Sequence, residues 1–182
     1  KGDLTFSDET ISWGLTTPTF SNGAAYADLD NDGDLDVVVN NIDDPVLVYE
    51  NKSNDKKDKP FLEVKLKGSS KNINAVGAKI IVYDSTEVRT YEKYPVHGFQ
   101  SSMETPMHIG LYNTKVDSVL LIWPDNTYQS INWSSSPTTI QYQSGLPKYD
   151  YTRLTTHFVN SSNHMVDITH EVNLEFKHDE NP

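Results

Sequence analysis

Five aspartates alternate with other residues through Asp28-Leu29-Asp30-Asn31-Asp32-Gly33-Asp34-Leu35-Asp36, with the one glycine at the sixth of nine positions. Carboxylates this close repel one another unless a cation joins them. Ca²⁺ suits such a loop, because it takes roughly 6–8 oxygen ligands from flexible segments. Glycine at position six permits the sharp turn that aims positions one, three and five at one centre. The run therefore predicts a metal-binding loop rather than a catalytic one. The alternative is a solvated acidic turn in a β-hairpin.

The flanks narrow the type of loop. An EF-hand loop closes with a bidentate Glu at position twelve and continues as a helix. Position twelve here is Val39, and Leu35-Asp36-Val37-Val38-Val39 is rich in β-branched residues that favour a strand. The acidic closure falls at position nine, Asp36. Asp28, Asp30, Asp32 and Asp36 are the expected side-chain ligands, and Asp34 is expected to offer its backbone carbonyl.

Charge is distributed to match. The 182-residue chain carries a net charge of −11, and residues 1–50 contribute −10 of it, with eleven acidic residues against Lys1 alone. A bound cation would offset a local excess. The same balance argues against nucleic acid or an anionic membrane as partner. There is no Cys, which removes disulfides, thiolate metal sites and cysteine nucleophiles together. No window reaches the ~20 apolar residues of a membrane span. The chain opens at Lys1 with no hydrophobic run, which we read as a mature or excised piece.

Elsewhere, period-two alternation recurs and helical periodicity is hard to find. Leu62, Val64 and Leu66 alternate with Glu63, Lys65 and Lys67. Further strands are expected over residues 77–83, 88–94 and 116–123, the last ending at the turn signal Pro124-Asp125-Asn126. Residues 51–60 are wholly polar and read as a linker or long exposed loop. The composition changes again near Gly145-Leu146-Pro147. These breaks predict units at 1–52, 53–145 and 146–182.

The segment Phe20-Ser21-Asn22-Gly23-Ala24-Ala25-Tyr26-Ala27, with the aspartate loop and Val37-Val38-Val39-Asn40-Asn41, resembles an FG-GAP/VCBS repeat, one blade unit of calcium-loaded β-propellers. The middle resembles the ASPIC/UnbV domain that follows such repeats in cartilage acidic protein and bacterial surface proteins. That likeness rests on Asn74-Ala75-Val76-Gly77-Ala78-Lys79-Ile80, His97-Gly98-Phe99-Gln100-Ser101-Ser102, His108-Ile109-Gly110-Leu111 and Val119-Leu120-Leu121-Ile122-Trp123-Pro124-Asp125. Tyr112 and Asn126 depart from it, standing where the family usually has glycine or, for Asn126, another small residue. The resemblance implies an all-β chain: a β-sandwich or barrel-like ASPIC/UnbV domain with one propeller-type unit. A propeller needs about 4–8 blades, so the repeat is an orphan here. A weak echo between residues 6–15 and 165–176, and the ending at residues 174–181, suggest that a further repeat array begins there.

No catalytic pattern emerges. His157, His164, His170 and His178 lack the spacing of a helical zinc site, and His97 and His108 flank a serine-rich turn with no nucleophile elbow. Carboxylate pairs for glycoside hydrolysis need only spatial proximity, but the richest cluster is assigned to metal. Trp123, Trp133, Tyr128, Tyr91, Tyr94 and Tyr142 are candidates for stacking on sugar rings, with core packing favoured for Trp123. Tyr142, Tyr149 and Tyr151 are less easily buried. Asn51-Lys52-Ser53, Asn132-Trp133-Ser134 and Asn160-Ser161-Ser162 match the glycosylation pattern.

The expectation is a non-enzymatic, extracellular or cell-surface recognition or adhesion module. It would bind Ca²⁺ through Asp28, Asp30, Asp32, Asp34 and Asp36, and a glycan or surface protein. Its other partners would be neighbouring domains of a longer chain, with no membrane insertion. The rival readings are a spacer between propellers, an accessory region of a secreted carbohydrate-active enzyme, and a true hydrolase.

Overall fold

A computed structural model describes residues 5–56, 58–85, 87–111 and 115–155, together with Ile168 and Glu171. The strands in chain order are β1 Ser21–Ala27, β2 Asp36–Asn41, β3 Leu47–Tyr49, β4 Phe61–Lys67, β5 Lys79–Asp84 and β6 Val88–Glu92. They continue as β7 Val96–Gly98, β8 Ser101–Ser102, β9 Met107–Gly110, β10 Val116–Ile122, β11 Tyr128–Ser130 and β12 Thr138–Gln141, followed by a one-turn helix α1, Thr152–Thr155. The chain is all-β in class, and each strand expected from the sequence is present.

Two sheets enclose the core. One has the order β11-β10-β5-β6 and the other β12-β4-β9, so neither closes into a barrel and the arrangement is a β-sandwich. Alternation in β4 sends Leu62, Val64 and Leu66 inward, where they meet Ile80 and Val82 of β5, Met107 and Ile109 of β9, and Val119 and Leu121 of β10. Each such side chain contributes about 1.5–3 kcal/mol by leaving water. β12 runs parallel to β4, with Thr138 opposite Val64 and Gln141 opposite Lys67. Since parallel neighbours need a long crossover, almost the whole domain separates these two strands in sequence.

The turns explain the family-like motifs. Ala75 (φ 52°) and Gly77 (φ 87°) lie in the left-handed region. Asn72 brackets this turn, donating to the Val76 carbonyl at 2.9 Å and accepting from its amide at 3.0 Å. Asn126 also takes a left-handed φ of 64°. Asn is among the non-glycine residues that best tolerate that conformation, so its departure from the usual small residue leaves the turn geometry available. The departure at Tyr112 lies outside the described residues.

A third sheet, β1-β2-β3, carries the aspartate loop between β1 and β2. Hairpin β7–β8 braces its β1 edge. Asn22 Nδ2 donates to Gln100 Oε1 at 2.7 Å, the Ala24 amide to Ser101 Oγ at 2.9 Å, and the Tyr26 amide to the Met103 sulfur at 3.5 Å. Edge amides that would otherwise lie unpaired are thus covered by side chains. All of these elements belong to one compact unit, residues 1–149.

Residues 150–182 form a second unit. There Asp150 Oδ1 accepts from the Thr152 amide at 3.0 Å and its hydroxyl at 2.7 Å, which starts α1. The echo at 165–176, four of the six histidines and the glycosylation pattern at Asn160 fall outside the described residues, apart from Ile168 and Glu171. Among the described residues no helix is long and apolar enough to cross a membrane.

Candidate metal centre and recognition residues

Strand pairing sets the ends of the acidic loop. Ala27 is opposite Asp36, so the chain leaves β1 at Asp28 and re-enters β2 at Asp36. Positive φ at Asn31 (60°) and Gly33 (94°) coils the segment between them. The coil turns backbone amides onto the carboxylates. Asp28 accepts from the Asp32 and Gly33 amides, both at 3.1 Å. Asp30 accepts from the Asp32 amide at 3.2 Å, and Asp32 from the Asp34 amide at 3.0 Å. Asp36 holds the two ends together, accepting from Leu29 and Asn51 at 2.8 Å each.

The loop brings together three of the five aspartates. One carboxylate oxygen from each of Asp28, Asp30 and Asp36 lies within 4.8 Å of the other two. A single ion with Ca–O distances of about 2.3–2.6 Å can reach oxygens so spaced. Asp32 and Asp34 stand outside this trio. Asp34 is turned toward the following segment, where its Oδ2 accepts from the Asn54 amide at 2.7 Å and the Ser53 hydroxyl at 3.1 Å.

Electrostatically the loop is strained. Partial desolvation raises the Asp30 carboxyl above its ordinary value, and the charges of Asp32, Asp36 and Asp28 add to this, against the hydrogen bond from the Asp32 amide. Asp32, Asp34 and Asp36 are all buried. Asp32 Oδ2 and Asp34 Oδ1 are also without a hydrogen-bond partner. A buried carboxylate oxygen left unpaired is costly, and a bound cation would relieve that cost.

Residues 51–60 prove to be more than a linker. Most of them are exposed, but Asn54 is only 2% exposed. Its Nδ2 donates to the Asp32 carbonyl at 2.8 Å, and its Oδ1 accepts from the Lys59 amide at 2.9 Å. Asn51, Ser53 and Asn54 are therefore loop-supporting residues, a role that the sequence did not assign to them. The polar run carries no periodicity, and its partners lie 15 to 22 residues upstream. Phe61, the first residue of β4, closes the assembly: a Cβ at Gly33 would collide with its ring. Phe61 also stacks on His108, with ring centres 5.0 Å apart.

The candidate stacking aromatics separate into groups. Trp123 is 1% exposed and packs in the core with Tyr142 edge-on at 5.4 Å, so its role is structural. Tyr142 is half-buried and donates to Asp125 at 2.9 Å. Tyr149, expected to resist burial, is buried because its hydroxyl meets that of Tyr83 at 2.6 Å and its ring meets Tyr128 at 5.5 Å. Trp133 stands apart on a 3₁₀ turn capped by Asn132. Tyr91 and Tyr94 share a cleft with Tyr26 and His97, two residues not proposed for stacking.

Of the two described histidines, His97 bonds the Tyr26 hydroxyl at 2.9 Å and His108 stacks on Phe61. No curated protein matches this chain. Residues 68–145, which hold the sandwich from just after β4 to just beyond β12, match the family described as ASPIC and UnbV.

Proposed function

We propose that the chain is a non-enzymatic recognition module of an extracellular repeat protein, with Ca²⁺ as a structural ion in the Asp28–Asp36 loop. The observation that carries this reading is the convergence of Asp28, Asp30 and Asp36 within 4.8 Å beside buried, unpartnered oxygens of Asp32 and Asp34. Asp28, Asp30 and Asp36 would hold the ion. Asp34 would contribute its backbone carbonyl, since its side chain serves the 53–54 turn. Asp32 would be drawn in by the charge. The ion would neutralise the loop and fix β1 and β2 against the sandwich.

We read sheet β1-β2-β3 as one FG-GAP/VCBS-type blade unit, with further blades elsewhere in a longer chain. Support comes from its apolar surface. Trp13 (73% exposed), Phe20 (78%) and Val48 (60%) lie open to solvent in this segment, whereas the sandwich interior is closed. Val48 faces away from its neighbours Leu47 and Tyr49, which share a groove with Trp13, so exposed apolar side chains stand on both faces of the sheet, where neighbouring blades would cover them.

Calcium titration by isothermal calorimetry tests the reading, using the intact chain and Asp30→Asn. Asp30 is the cleanest probe because its carboxylate makes one backbone hydrogen bond, at 3.2 Å. A single saturable site, weakened at least tenfold in the variant, is expected. No calcium heat, or an unchanged affinity in Asp30→Asn, would overturn the assignment.

A further inference from the structure

We infer that the cleft between the calcium-loop unit and the sandwich is a binding site for a neutral mono- or disaccharide. The inference rests on the recognition reading above and gives it a ligand class and a place. The cleft has a volume of about 420 Å³, at the lower end of the ~300–1,000 Å³ typical of small-molecule sites.

Its rim is aromatic and already assembled. Tyr94 stacks on His97 with ring centres 5.3 Å apart and planes 24° from parallel. Tyr26, from β1, meets His97 edge-on at 5.2 Å and ties to its Nδ1 through a 2.9 Å hydrogen bond. Burial, then the neighbouring Tyr94, raises the Tyr26 phenol above its ordinary value, so it remains a neutral hydroxyl at physiological pH. Tyr94 is 51% exposed and Tyr91 lines the same cleft. Aromatic faces beside polar tips suit the pyranose ring, whose C–H face stacks while its hydroxyls hydrogen-bond.

Charge selects against ionic ligands. Lys93 lines the cleft, but its ammonium is bound to Glu104 at 2.5 Å and to the Thr105 carbonyl at 2.9 Å. Glu92 lies within 3.9 Å of Lys79. The lining therefore offers a matched pair, Glu92 and Lys93, and no concentrated field of either sign. Sugar hydroxyls, which donate and accept, match such a lining better than a phosphate or an ammonium does.

Saturation-transfer NMR on the intact calcium-treated chain tests this, with lactose, maltose, cellobiose and diacetylchitobiose as probes at millimolar concentration. At least one is expected to show saturable transfer that falls at least tenfold in Tyr94→Ala and in His97→Gln, but persists in Trp133→Ala. Circular dichroism identifies a misfolded variant, and the milder Tyr26→Phe then serves in its place, with weakened transfer expected. No transfer from any probe, or transfer undiminished in the cleft variants, would overturn the inference. Calcium calorimetry on the same samples separates the two readings: sugar binding can fail with calcium binding intact, and the reverse.

Discussion

The ring of Phe61 lies where a side chain on Gly33 would have to be. The acidic loop and the first strand of the sandwich therefore meet with glycine as their contact surface. Gly33 is constrained twice, by a φ of 94° and by Phe61. Gly33→Ala should cost about 2–4 kcal/mol from strain and overpacking together. Urea denaturation would measure the loss. In a Phe61→Ala background the cost of Gly33→Ala should be smaller, because the collision is removed and the strained φ is not.

Asn54 fastens residues 51–60 to the loop. Asn54→Ala removes hydrogen bonds to Asp32 and Lys59 and leaves buried groups unpaired, at a cost of about 1–3 kcal/mol. It should also weaken calcium binding, since the Asp34 side chain loses an ordered partner segment. Calorimetry and chemical denaturation on the same variant would separate the two effects.

Much of the sandwich was legible because its signal is local. Leu62, Val64 and Leu66 alternate with charged residues, and one strand suffices to show which face is apolar. The pairing of β12 with β4 was not legible, since nothing in Thr138–Gln141 names a partner more than seventy residues earlier. The aspartate loop announced its own curvature through Gly33, and its support from Asn51, Ser53 and Asn54 stayed hidden for want of any periodicity. Tyr26 and His97 likewise come together only through the packing of β1 on hairpin β7–β8. Asp34 illustrates the limit most sharply: spacing put it among the loop acids, and a contact twenty residues away sets where its carboxylate points.

Asn126 makes a compatible turn at φ 64°. Asn126→Ala should destabilise by about 1 kcal/mol, because a Cβ-bearing residue without a local polar group pays the left-handed penalty in full. Asn126→Gly should change stability little. Thermal melts of the two variants, run side by side, would show the difference.

The same turn gives a pH dependence. Burial works to raise the Asp125 carboxyl, but hydrogen bonds from the Thr127 hydroxyl and amide, the Tyr142 hydroxyl and the charge of Lys148 together hold it below its ordinary value. A carboxyl depressed in the folded state stabilises above its unfolded pKa of ~3.9 and loses that contribution as pH falls through the folded value. Stability should therefore fall below about pH 4, and the fall should be shallower in Asp125→Asn. Urea midpoints across pH 2.5–6 (a range bracketing ~3.9) would test the difference in slope.

Thermal unfolding of the intact chain, in saturating calcium and in excess chelator, tests the central claim most directly. With free calcium at about one hundred times Kd, binding to the folded state alone adds about 2.7 kcal/mol. For a chain of this size that corresponds to a rise of roughly 5–10 °C in Tm. A tenfold weaker site in Asp30→Asn should remove about half of the rise at the same calcium concentration and leave the melting point in chelator nearly unchanged. Identical melting of the unmodified chain with calcium and with chelator would contradict the assignment of the Asp28–Asp36 loop as a structural calcium site.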